Sequence, residues 1–483
     1  MKDQFPTFRA LGKRIADLVT NKRLTRRLGS AFIKTCKVVG VLIIAVMIVH
    51  TILMIVWGRQ LARRLDELRA SGIPVYSAEL APKNLPTSKN GGLLYEKAMR
   101  LVGNNGDYYR SHDDWSHDCG LFDDFTKSMP GSVERQKMLP AVEDALSRRA
   151  GLLSILIEAA SKPECRFTTI KWEQGAGALF PQLGNIRNFT RMCVAKAQVD
   201  AIKGDMNAAT RDIILALRVS QATKDEPITI GALVSYACLQ IATDGLAEIT
   251  KTHTFTVEQA LRITRELSRI ELDPSFTNAL NGESAITNTT FDMMRYDTAR
   301  FWDMIYLNEN MYRKSGLKKA GIAIVVYLWR PLSYKDQIVC LDMWKKQMEL
   351  IEQPYRIGVG KYHSLDIINR LPRYALLTRI FFPMCTGVVA VRDTADARIG
   401  IAKTALALET YRSEFGSYPE SLTQLHKTFA TDPFSGKNFV YKRMGNTFML
   451  YSIGRNLKDD GGLSKENPNK DEPDDIVWGR HIQ

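Results

Sequence analysis

The pattern of apolar and polar positions divides this chain of 483 residues into three unlike parts. Near the start, Val38–Trp57 is an apolar run of 20 residues without a charge. A helix rising 1.5 Å per residue covers ~30 Å over that length, the thickness of a bilayer's hydrocarbon core. Lys37 and Arg59 bracket the run, and Trp57 stands where an interfacial aromatic belongs. The reading is one transmembrane helix, 38–58, that stays helical to about Ala70. The run is longer than a signal-peptide core and has no small-x-small cleavage site before Gly58-Arg59. His50 is its one ionisable residue, expected as a neutral imidazole bonded to a carbonyl of its own or a neighbouring helix.

After a polar stalk and linker, 59–90, helical spacing dominates 91–375. Leu93–Val102 fits one helix face, and Val133–Ser161 fits helices broken near Pro140. Asn188–Lys203 and Met206–Ala222 form a hairpin, with Gly204 ending the first helix and Asp205 capping the second. It has the look of a degenerate helical repeat without a second copy in register. Gly231–Thr250, Thr256–Ile270 (Thr256 and Gln259 as a capping box), Phe276–Tyr312 and Lys335–Leu350 continue the pattern. The apolar stretches Ala320–Trp329 and Ile380–Val391 are too short to span. The first reads as a buried helix or a membrane-grazing face.

Residues 376–483 change character. An Ala-rich amphipathic helix, Asp393–Tyr411, is followed by a turn and short helix at Pro419. Next, TDPFSGKNFVYKRMGNTFMLYSIG reads as three short strands with a hairpin at Met444-Gly445-Asn446. An acidic Gly/Pro/Asn-rich loop then leads to Ile476-Val477-Trp478.

Charge changes the picture less than its total suggests. The net charge is +14, but residues 1–37 alone carry ten Lys/Arg against Asp3 and Asp17. A basic block beside an apolar span is a topology signal and an anionic-lipid contact. The tail is therefore read as cytosolic and the bulk as periplasmic, with no nucleic-acid partner, since no groove-reading motif accompanies the charge. The seven cysteines lack any CxxC pair and are expected mostly as core thiols.

The ordered motifs ALALETYRSEFGSYPESL, DPFSGKNFVY, FMLYSIG, Asp459-Asp460 and DDIVW resemble the globular domain of the major pseudopilins of type II secretion systems. The likeness covers roughly residues 393–480. It implies a small α+β domain with a three-stranded antiparallel sheet, and it implies calcium in the acidic loop. By position the ligands would be Asn456 (where the family usually has Asp), Asp459, Asp460, Asp474 and Asp475, with Asp471 spare. Calcium takes six to eight oxygens from such flexible loops. The span itself departs from the family, with no processing glycine and no glutamate near its head, and it lies late in the chain. The whole arrangement also looks like a bacterial membrane-anchored envelope family.

No hydrolase, metalloprotease or phosphate-loop signature occurs. Ser315-Gly316-Leu317-Lys318 matches S-x-x-K without its companion motifs. The densest chemical cluster is His112-Asp113-Asp114-Trp115-Ser116-His117-Asp118-Cys119, whose histidines, carboxylates and thiol suit a transition metal. The expectation is a mainly α protein of the bacterial inner membrane. It is read as a non-enzymatic scaffold with protein partners in the envelope and a calcium-binding pseudopilin-like module. The alternatives are a component of a secretion or pilus-like assembly and a metal-dependent envelope hydrolase using His112–Cys119.

Overall fold

Helix α1, Lys22–Ala70, carries the apolar run as one unbroken helix of 49 residues. Most side chains from Val38 to Val56 are exposed among the described residues, and this apolar helix could anchor in a membrane. The computed structural model describes residues 22–82, 85–103, 113–305, 316–358, 370–382, 386–425, 431–465 and 472–479. The basic residues up to Asn21, together with His112, Cys385 and Asp471, lie outside the described residues.

The body is a mainly helical array: α2 Gly92–Leu101, α3 Asp113–Lys127, α4 Val133–Arg148, α5 Ala150–Ala160, α6 Gln182–Ile202, α7 Met206–Ser220, α8 Thr229–Thr252, α9 Val257–Leu267, α10 Asp273–Tyr296 and α11 Thr298–Ile305. Helix α6 lies at its centre, against α3, α7 and α8. Its Ala195, Ala197 and Ala201 are fully buried, and small side chains let neighbours approach from several sides. At Gly245 of α8 an added Cβ would lie 2.3 Å from Val194, so only glycine allows this crossing. Helix α8 is apolar enough to span a bilayer, but 67% of its apolar window is buried, the mark of a core helix.

Local signals end and start these helices as their chemistry dictates. Gly204 takes φ +81°, and Asp205 accepts the Ala208 N–H at 2.9 Å. Thr256 and Gln259 form the reciprocal capping box, and Gln259 also donates to Asn207 at 2.8 Å, tying α9 to α7. Two expected breaks fall elsewhere. Helix α4 runs through Pro140 and ends at Arg148. The carbonyl freed by Pro140 belongs to Gln136, and both residues are exposed, where water replaces the lost bond. The helix expected over Phe276–Tyr312 stops at Tyr296, restarts at Thr298, and leaves the described residues after Ile305. Among the described residues the cysteines are free thiols, with Cys165, Cys193, Cys238 and Cys340 buried.

Beyond the body come α12 Gly316–Ile351, α13 Tyr355–Gly358, α14 Leu376–Phe381 and α15 Thr386–Phe415. Helix α15 is apolar on two faces. Ala395, Ile399, Ala402 and Leu406 belong to the helical core, while Ala397, Ile401, Ala405 and Leu408 belong to the C-terminal core. The alanine-rich sequence thus serves a helix packed from both sides, and it fuses the two cores. Strands β1 Val440–Met444 and β2 Thr447–Ser452 form the expected hairpin, with Met444 opposite Thr447. The segment expected to give three strands gives these two, and β3 is Ile476–Val477, paired with Tyr451 and Ser452. The Asp432–Lys437 stretch is a turn instead. Asp432 accepts from the Phe434 and Ser435 N–H groups and from the Ser452 hydroxyl, which pins the turn to β2.

One buried acid couples this packing to pH. Glu226 lies in the core behind Arg166 and accepts the Phe167 N–H at 2.7 Å, while its Oε2 has no hydrogen-bond partner. Burial raises its pKa to about 7, against the opposing pull of Arg166. A carboxyl whose folded value exceeds its unfolded one contributes most below the unfolded value, about 4.5. That contribution falls as pH rises towards 7, by on the order of 3 kcal/mol. Denaturant melts of the detergent-solubilised protein between pH 4.5 and 7.5 are expected to show a flatter pH dependence for Glu226→Gln than for the parent chain.

Candidate functional site

Helices α1 and α12 run side by side and parallel. His50 faces Tyr327, Trp57 and Gly58 face Lys335 and Tyr334, Leu61 and Leu65 pack with Ile338 and Leu341, and Arg64 pairs with Asp342 at 2.9 Å. The offset stays close to 277 residues throughout. Pro331, inside α12, has no N–H to give the carbonyl four residues earlier, which is that of Tyr327. His50 Nε2 donates to this carbonyl at 2.9 Å, and the two rings stack with centroids 4.8 Å apart. A carbonyl only accepts, so Nε2 carries the hydrogen. The polar residue in the apolar run thus answers the proline in its neighbour.

Just above this contact the seam is ringed by aromatic and basic groups. Lys335 Nζ lies 5.1 Å from the Trp57 ring centre and 5.0 Å from that of Tyr374. Tyr296 and Tyr334 share a hydroxyl–hydroxyl bond, and Arg330 donates to the Arg295 carbonyl at 3.0 Å. Arg295 itself is buried. It reaches Asp292, Gln337 and Ser333 and lies over the Tyr334 ring. Gln337 donates to Asn288, and Asn288 donates to the Val75 carbonyl at 3.1 Å. The Ser77 N–H donates to Thr289 at 2.8 Å. The polar stretch that follows α1 is therefore held on α10 as a packed segment.

The five residues expected to bind calcium lie in one loop. Asn456 donates to Asp460 at 2.7 Å and to the Glu472 carbonyl. Asp459 accepts from Tyr451 and the Gly461 N–H, and Asp475 accepts the Gly462 N–H at 2.7 Å. Asp474 pairs with Arg455. Burial, and then the nearby charges of Asp460 and Asp459, outweigh these bonds and raise the Asp475 pKa to about 6. The loop thus offers oxygen donors and crowded negative charge, which is the chemistry calcium uses. Among the described residues, no three His, Cys, Asp or Glu side chains converge as a ready metal cage.

The 112–119 cluster lies on helix α3 from Asp113 onward, rather than in the loop its polarity suggests. Trp115 packs against Phe189, His117 is exposed, and Asp118 is buried between Arg148 and Arg149. Burial, reinforced by Asp118, raises the Cys119 thiol pKa to about 12, leaving it protonated at neutral pH.

A further site escaped the motif reading. Arg211 and Arg218 of α7 and Arg262, Arg265 and Arg269 around α9 line a groove of about 390 Å³, with Ile157, Ile214 and Leu215 at its apolar wall. Glu266 binds Arg218 at 2.8 Å and Arg269 at 3.2 Å, and Asp212, which also lines the groove, lies 3.4 Å from Lys196; among the described residues, Arg211, Arg262 and Arg265 carry most of the uncompensated charge. The signal was present in the three- and four-residue spacing of the α9 arginines, which puts them on one helix face.

Comparison with protein-family models, curated proteins and solved structures finds no match to this chain. The pseudopilin likeness stands on its motifs.

A double-mutant cycle tests the seam. His50→Leu leaves the Tyr327 carbonyl unsatisfied and is expected to cost ~1–3 kcal/mol. Pro331→Ala restores an N–H to that carbonyl, so in this background His50→Leu should cost far less. Equal losses in both backgrounds, read from melts in detergent, would rule out the proline-driven role of His50.

Proposed function

We propose that this protein is a non-enzymatic scaffold of the bacterial cell envelope. In this reading it is held in the inner membrane, with its N-terminus cytosolic and its bulk outside, and it docks an acidic segment of a partner protein. The observation that carries this reading is the arginine groove between α5, α7 and α9. Arginine's planar fork suits carboxylates, and the apolar wall offers a seat for an intervening aliphatic side chain. The anchor, continued as one helix into the body, supports a scaffold because it fixes the groove relative to the membrane.

The resemblance supports two refinements. The C-terminal domain is a calcium-stiffened module, with Asp459, Asp460 and Asp475 as the main ligands and Asn456 and Asp474 beside them. The order of α15, hairpin, acidic loop and β3 also favours a second reading, a component of a secretion or pilus-like assembly. Co-purification with secretion-system proteins from solubilised membranes would support that reading.

Binding of a fluorescein-labelled 12-residue Glu/Leu peptide to the detergent-solubilised protein tests the groove. Arg262→Glu/Arg265→Glu is expected to weaken it at least tenfold, and added salt should weaken binding to the parent protein. Binding unchanged by the double substitution would sink the groove reading.

Calcium is tested by calorimetric titration of the chelator-treated protein. The expected affinity is in the weak range of extracellular modules, roughly 10⁻⁴–10⁻³ M, since Asn456 stands where the family usually has a carboxylate. Asp460→Asn/Asp475→Asn should remove the heat and any calcium-dependent rise in melting temperature. A titration without heat and with unchanged melting would discard the calcium site.

A further inference from the structure

We propose that Gly321–Trp329 of α12 is immersed in the bilayer beside the anchor, with lipid acyl chains covering Ile324, Val325 and Leu328. The proposal rests on reading Val38–Trp57 as a membrane span.

Four observations carry it. The first is register. The two helices are parallel, with His50 at the level of Tyr327 and Trp57 at the level of Lys335. His50 lies seven residues inside the end of the apolar run, about 10 Å deep at 1.5 Å per residue. Whatever surrounds His50 also surrounds Tyr327, and the residues before Tyr327 lie deeper.

The second is exposure. Ile324 is 60% exposed, Val325 65% and Leu328 50%, although the segment is apolar throughout. Of the two expectations, a buried helix or a membrane-grazing face, the described side chains do not fit the first, because no part of the described body covers this face. At similar depth α1 is bare too, with Ile44, Ile48 and Ile52 similarly exposed. Two adjoining apolar helix surfaces at one depth need one apolar solvent.

The third is backbone satisfaction. In hydrocarbon every carbonyl must find a donor within the protein. Pro331 orphans one carbonyl in this half of α12, and His50 of the anchor supplies the donor. In water that carbonyl would need no such partner.

The fourth is the collar of Trp57, Tyr296, Tyr334, Tyr374, Arg330 and Lys335, which closes the segment at one level of the seam. Tryptophan, tyrosine and basic side chains gather at membrane–water boundaries in this way. Counted from Lys335, level with Trp57, Ala320 lies fifteen residues down, ~22 Å into a ~30 Å core. A segment too short to span alone can thus enter the bilayer in the company of a helix that does.

Power-saturation spin-label measurements on the full chain in phosphatidylethanolamine/phosphatidylglycerol vesicles test the proposal. Nitroxides are placed by Val325→Cys and, separately, Leu328→Cys in a background of Cys36→Ser/Cys385→Ser. Ile44→Cys reports the anchor and Val257→Cys the water-exposed body. Labels at 325 and 328 are expected to be open to oxygen and closed to a nickel chelate, as at 44 and opposite to 257. Nickel access at both 325 and 328 with lipid-like behaviour at 44 overturns the insertion of α12 alone. Closure of both to oxygen as well as nickel means that protein covers the face, and also overturns it. Nickel access at 44 overturns it by a different route, because the span itself is then wrong.

Discussion

A single hydrogen bond, from His50 to the Tyr327 carbonyl, organises the seam between α1 and α12. It exists because Pro331 withholds an N–H and because the apolar run carries one imidazole at the matching level. Neither residue makes sense alone: a histidine in an apolar run is costly, and so is a proline in a long helix. Together they lock two helices in register, and the aliphatic seam of Leu61, Leu65, Ile338 and Leu341 extends that register outward. The anchor can then neither slide nor rotate without exposing a polar group.

From this seam the constraint passes into the body through buried polar groups. Arg295 holds Asp292, Gln337 and Ser333 together, and Asn288 passes the connection to the segment after the anchor. A buried arginine is tolerable only with its hydrogen bonds satisfied, and removing its partners would leave a charge in the core. Asp336 does similar work at α14, accepting from the Leu377 and Thr378 N–H groups, while burial raises its pKa. At the far end α15 adds close packing to polar bonds such as Arg398 to Asp244 at 2.7 Å, using alanines on both faces to join the C-terminal sheet to the array.

This construction gives the arginine groove and the acidic loop different standing. The groove lies between helices with continuous cores beneath them, so the backbone that carries its arginines is held in place. The loop is held chiefly by its own side-chain bonds, with Leu457 at φ 57° and carboxylates crowded around Asp475. A rigid basic face suits recognition, whereas a charge-crowded loop suits an ion that closes it.

The sequence by itself determined whatever depends on near neighbours in the chain. The length of the Val38–Trp57 run, the stop at Gly204, the caps at Asp205 and Thr256 and the hairpin at Gly445-Asn446 are all properties of a few consecutive residues. It also placed the five acidic-loop residues within one short stretch. Tertiary structure decided which neighbour each exposed or polar group meets. Pro140 breaks nothing because its orphaned carbonyl faces outward, while Pro331 matters because its own meets His50. The third strand comes from Ile476-Val477, since Asp432 bonds Ser452 and folds the earlier candidate into a turn. From Asp114 to Cys119 the cluster disperses because a helix turns its side chains to different sides. Ala320–Trp329 had the composition of a buried helix or a membrane-grazing face, and only the tertiary structure shows that Ile324, Val325 and Leu328 are exposed beside α1 among the described residues.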